Sequence, residues 1–175
     1  MIKLYNNSKI PDSVWIPIIK EAKQKAQVKG YIIVLITSGK RGGGLFNGSS
    51  SCKDRRFKNN YRWVSTDAGK VTITPLLTWY HDPIGAAQWT AKTILHELKH
   101  AFDFQNHNSL SSYIDNKKLQ HDSRPCEIRA NYFAKYEAKI SENLIFDLAV
   151  EIERLQKALE NKPIKLRSIK FIIKY

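Results

Sequence analysis

Cysteine, acidic residues and long apolar runs are all scarce in this chain. The two cysteines, Cys52 and Cys126, are too few for a disulfide framework. No stretch approaches the roughly 20 apolar residues needed to span a bilayer. The opening MIKLYNNSKIPD lacks the apolar core of a secretory signal. These absences argue against a stapled secreted scaffold and a membrane partner, and make cytoplasmic residence the expectation. Acids number 16 against 29 Lys and Arg, a formal net charge of +13. Seven basic residues (Lys40, Arg41, Lys53, Arg55, Arg56, Lys58, Arg62) and one acid, Asp54, fall between Ser38 and Arg62, and the last fifteen residues carry five more cations and no acid. A field of this sign suits an acidic partner or nucleic acid, reached through 38–62 and the C-terminal tail, and it also serves solubility.

What is present is enough for a globular core: 42% hydrophobic and 11% aromatic residues in a chain of 175. The expected organisation is one domain over 1–163, with a basic mobile loop at about 39–60, and a basic tail or strand over 164–175. Asp12 or Ser13 can cap a first helix reaching about Lys29, with Trp15, Ile18, Ile19 and Ala22 on one face. The β-branched run Tyr31 to Ser38 reads as a buried strand. GKRGGGLFNGSSSCKDRRFKNN reads as the loop, and it lacks the order of a phosphate-binding loop. Phe46, Phe57, Tyr61 and Trp63 are interleaved with its cations, as in arms that contact anionic partners.

Around Asp67-Ala68-Gly69 two short strand patterns suggest a hairpin, and Pro75 puts its second strand at or near a sheet edge. An edge strand can receive an extended peptide through backbone hydrogen bonds. Helical periodicity follows from Gly85 to Gln105, then near Pro125 onward, and again over about Leu144 to Glu160, stopped by Pro163. Ser141 and Asn143 mark the break between the last two. The composition of these elements predicts an α+β fold with a small mixed or antiparallel sheet.

The first of these three helices carries HELKH. Its spacing puts His96 and His100 one turn apart on one face, where two imidazoles can bind one Zn²⁺. Glu97 stands beside the first, where its carboxylate can take the proton of a metal-activated water. A catalytic zinc needs a third protein ligand. Asn106 and Asp103 occupy the positions that would be histidine and glycine in a metzincin, which removes that version. Asp103, His107, His121, Asp122 and Glu127 remain as third-ligand candidates. Glu127 opens a new amphipathic helix, so its carboxylate can project toward the histidine pair.

The segment RPCEIRANYFAK resembles the glutamate helix of small gluzincins, and in particular that of ImmA/IrrE-like peptidases, whose H-E-x-x-H helix is followed by E-x-x-A-N-x-F-A. Glu127, Ala130, Asn131, Phe133 and Ala134 carry the match, which spans roughly Thr93 to Tyr136. The resemblance implies a zincin-like fold: an edge-stranded sheet packed on the active-site helix, and a downstream glutamate helix. It implies zinc held by His96, His100 and Glu127, with Glu97 as general base in the hydrolysis of peptide bonds of a protein or peptide substrate. Lys99 departs from the glycine frequent at that position, and no helix-turn-helix pattern is present. A histidine ligand such as His121 would instead resemble SprT-like, DNA-associated proteases. A zinc-bound binding module without catalysis is the other alternative. Asp103 and Asn131, three and four residues beyond a proposed ligand, are candidates for fixing the imidazoles through their second ring nitrogens. Tyr113, His107, His121, Tyr132 and Arg124 are candidates for stabilising an oxyanion.

Overall fold

In the computed structural model, strand β1 (Ile2–Asn6) leads through helix α1 (Asp12–Lys25) to strand β2 (Ile32–Ile36). Strands β3 (Arg41–Asn47), β4 (Ser51–Asp54), β5 (Arg62–Ser65) and β6 (Lys70–Leu76) follow. Helix α2 (Pro83–Asn106), a 3₁₀ turn (His121–Ser123), helix α3 (Pro125–Tyr132) with a π turn at its end (Phe133–Glu137), and helix α4 (Glu142–Glu160) complete the order. The structure describes residues 1–48, 51–54, 62–65, 67–77, 82–106 and 120–160, with backbone alone for 51–54 and 62–65. The basic tail 164–175 lies outside them.

The chain is α+β, with a mixed four-stranded sheet in the order β1-β2-β6-β3. β1, β2 and β6 run parallel, and β3 pairs antiparallel with β6. Ile32, Val34 and Ile36 of β2 and Val71 and Ile73 of β6 point into one core. There they meet Trp15, Ile18 and Ile19 of α1, Ile94, Leu95 and Leu98 of α2, and Leu148 and Ile152 of α4. On the other face of β6, Lys70, Thr72 and Thr74 are half-buried, so the alternation follows the helix-covered side. Among the described residues no helix is long and apolar enough to cross a membrane.

Several expectations need correction. The pattern around Asp67-Ala68-Gly69 is no hairpin, because β5 pairs with β4 in a separate two-stranded sheet and β6 pairs with β2 and β3. The turn docks on the start of β2 instead: Asp67 Oδ2 accepts the Tyr31 N–H at 2.7 Å, and the Asp67 N–H donates to Tyr31 O at 3.0 Å. β6 is therefore an inner strand. Pro75 is tolerated there because the parallel ladder with β2 has ended at Ile73, whose carbonyl accepts the Thr37 N–H. β6 lies next to the edge strand β3, built from residues read as mobile loop, while β1 forms the opposite edge. The first helix stops at Lys25, with Gln27 in the left-handed region at φ 56°. Asp12 lies inside its first turn after Pro11 and accepts a hydrogen bond from Asn6 Nδ2 at 2.7 Å.

α2 is tied to the sheet by one buried hydroxyl. Thr90 Oγ1 donates to Ala86 O at 2.9 Å and accepts the N–H of Leu76, the last residue of β6, at 3.2 Å. Thr90→Val keeps the shape and leaves that N–H buried without an acceptor. It should lower unfolding stability by about 1–3 kcal/mol, measured by urea denaturation. An unchanged midpoint would show that the hydroxyl carries no such role.

Candidate metal centre

α2 packs its apolar stripe on β6 and β3, and its length places His96, Glu97 and His100 in its second half, opposite β3 and α3. Its period turns both histidines toward α3. α3 begins at Pro125, a residue suited to a first helical turn, and Glu127 falls in that turn, where an acid is favoured by the helix dipole.

Three donor atoms converge. His96 Nε2 lies 2.9 Å from His100 Nε2, and Glu127 Oε2 lies 3.1 Å from the first and 3.2 Å from the second. The imidazole planes stand at 85° to one another, so the two nitrogens meet at a point rather than stacking. These three side chains form a group able to hold a metal ion. Tetrahedral donors with bonds of ~2.1 Å stand ~3.4 Å apart, which this triangle approaches with little adjustment.

Burial raises the pKa of Glu127 on its own account, but hydrogen bonds to His100 and His96 outweigh it and hold the carboxyl far below its usual range. Burial lowers that of His96, yet the hydrogen bond to Glu127 and the charge of Glu97 leave it raised. Glu97, only 6% exposed, is raised chiefly by burial, which outweighs the nearby histidines.

β3 closes the site from the sheet side, and its alternate residues face α2. A Cβ on Gly42 would lie 2.6 Å from Trp89 Cζ3, one on Gly44 2.6 Å from Glu97 Cγ, and one on Gly48 2.6 Å from Phe104 Cδ2. Between the last two, Phe46 stacks on His100 at a centroid distance of 6.4 Å. The glycines are where a helix approaches the strand too closely for a side chain. Gly44 and Phe46 are thus part of the site although they read as loop. The available signal was their period of two.

Of the proposed supporting residues, Asn131 is near enough to His96 to help raise its pKa. Asp103 does not have the anticipated role on an imidazole. Its Oδ2 accepts from Arg129 Nε at 3.1 Å, and its Oδ1 lies 3.5 Å from Lys99 Nζ. Lys99 also lies over the Phe102 ring at 4.2 Å. The lysine that departs from the gluzincin pattern therefore belongs to a cluster that ties α2 to α3.

His121, the alternative third ligand, reaches Glu127 by the other oxygen, with Nε2 3.3 Å from Oε1, and lies outside the triangle. Asp122 is solvent-exposed and contacts His121 Nδ1 at 3.1 Å. Tyr132 is exposed and packs on Tyr136. Arg124 precedes α3 as its N-cap residue. Cys126 is buried, and burial raises its thiol pKa. His107, Tyr113 and the side chain of Cys52 lie outside the described residues. So do most of the basic side chains of 38–62, Lys40 and Arg41 being the exceptions.

Arg129→Met removes the charge-assisted donor from a carboxylate that is 4% exposed as a residue, while Lys99 remains. The expected loss is about 1–2 kcal/mol in urea unfolding of the metal-free protein. No loss would mean that the ion pair does not hold the two helices together.

Comparison with family models, curated proteins and solved structures returns no match.

Proposed function

We propose that the chain is a zinc-dependent peptidase of the zincin-like, gluzincin type, with His96, His100 and Glu127 as metal ligands and Glu97 as general base. The observation that carries this reading is the convergence of two Nε2 atoms and one carboxylate oxygen within 3.2 Å of each other, beside a second, buried carboxylate. Two nitrogens and one oxygen suit zinc, whereas calcium and magnesium prefer oxygen-only sets. Three protein ligands leave a position for substrate, which is the pattern of a catalytic rather than a structural site. The donor triangle includes Glu127 and leaves His121 outside it, which supports Glu127 over the histidine-ligand alternative.

Zinc, when bound, supplies Lewis-acid polarisation and a lowered pKa for water. The rest is the work of side chains. Glu97 takes the proton of the attacking water and returns it to the departing amine. Gly44 leaves the room that its carboxylate occupies. β3 has β6 on one side and no other strand partner among the described residues, so a peptide can lie along its free edge.

Metal analysis paired with cleavage of a denatured mixed-protein substrate tests the reading. Wild type should bind one zinc and cleave, with activity lost to chelator. Glu97→Gln should keep the zinc and lose about 10²–10⁴-fold in rate. Glu127→Ala should lose the metal, and His121→Ala should retain it. A zinc-loaded wild type without turnover would leave a binding module, and a fully active Glu97→Gln would sink the mechanism.

The raised pKa of His96 adds a pH dependence. Ligand imidazoles must be neutral, so metal entry expels this proton. Zinc affinity should therefore fall as pH drops through the raised His96 value and level off above it. Competition with a chromophoric chelator across the histidine range reads this directly, and a flat profile would contradict it.

A further inference from the structure

The site continues along both of its helices. On α2, Lys92 stands four residues before His96 on the same face, and on α3 and its π turn Lys135 stands four beyond Asn131. Asn131 lies near His96, and Lys92 and Lys135 line one groove. With Lys92 one helical turn from His96, the two lysines thus line a cleft of about 660 Å³ between α2, the π turn and α4.

The lining of this cleft is mixed in a definite way. Its inner surface is apolar, with Ala91, Ala134, Ile140 and Ile145. At its mouth Ile84 is 48% exposed and Phe146 61%, more than isolated surface apolar residues require. Three cations, Lys92, Lys135 and Lys139, line it together with one acid, Glu142. An apolar trough rimmed by cations, with Lys92 one helical turn from His96, selects a ligand that is both apolar and negatively charged.

We propose that this groove binds the substrate chain beside the scissile bond, and that it selects an acidic residue followed by a large apolar one. The inference rests on the peptidase reading above and names its substrate class. Four helical residues advance ~6 Å, and an extended peptide advances ~3.3 Å per residue. The acidic side chain therefore falls about two residues from the bond, between Lys92 and Lys135, and the apolar anchor enters the trough roughly three to five residues away. A nucleic acid would answer the lysines but has no use for Ile84 and Phe146, which favours the peptide.

The test uses the full-length, zinc-loaded Glu97→Gln protein and three fluorescein-labelled peptides. One carries Glu and, two residues on, Leu. The second has Lys for the Glu, and the third has Ala for the Leu. Anisotropy should show the first binding about tenfold or more tighter than either control. Lys92→Glu/Lys135→Glu should erase or reverse the preference for Glu, and Lys92→Gln/Lys135→Gln should reduce it, with thermal melts unchanged. Equal binding of the three peptides, or none, overturns the proposal. So does a single-stranded oligonucleotide that competes equally well whether or not the peptide carries its Leu. Cleavage by wild type is scored separately. Turnover without peptide preference removes the groove and keeps the peptidase. Lysine-dependent preference without turnover keeps the groove as a docking site and removes the peptidase.

Discussion

Two imidazole nitrogens 2.9 Å apart, each within 3.2 Å of one carboxylate oxygen, cannot all present lone pairs to one another. A proton or a cation must stand between them, and without it the buried contacts would be repulsive. The remainder of the fold is arranged to keep this triangle small. α2 is braced on β6 through Thr90 and on β3 through close backbone approach. α3 is too short to hold its own orientation by propensity alone, since an isolated helix of eight residues is marginal in water. It is held by the buried Ala130, by Phe133 of the π turn in the core, and by Arg129 on Asp103, two residues from Glu127.

The second constraint is the approach of β3 to α2. Side chains on both elements would normally set them about ten ångströms apart. With glycine at 42, 44 and 48, the helix side supplies all of the bulk: Trp89, Glu97 and Phe104. Phe46 is the exception, and it packs on His100 and on Phe104. A strand of this composition has little intrinsic stability. Its order depends on the helix beneath it, so Glu97 and the sheet edge are coupled through Gly44. A side chain there would displace Glu97 or lift the strand.

What was legible in the residues follows from the range of the interactions. HELKH and its helix are local periodic signals, as is the buried run of β2, and each stands close to where pattern placed it. The α+β class followed from the same patterns. β1 went unread because IKLYN is five residues with mixed polarity, half-buried at every position. β3 went unread because glycine marks loops far more often than strands, and here its meaning depends on a helix some fifty residues later. The hairpin around Asp67 failed for a related reason: both segments have strand character, but their partners lie elsewhere in the chain. Asp103 sits on the expected helix face, yet its partner Arg129 is 26 residues away, and no local rule pairs them.

The two glutamates show how one site separates roles by environment. Glu127 is buried, but its hydrogen bonds to His100 and His96 favour the ionised form. Glu97 is buried to a similar degree, 6% against 7% exposed, against a glycine strand that offers it room but no side chain. Burial there favours its neutral form. Environments that push two carboxylates in opposite directions assign them different work, one to carry charge and the other to accept and release a proton. In a metal-loaded site the cation would shift both downward. Exchanging the two roles would require moving α3, not merely exchanging residues.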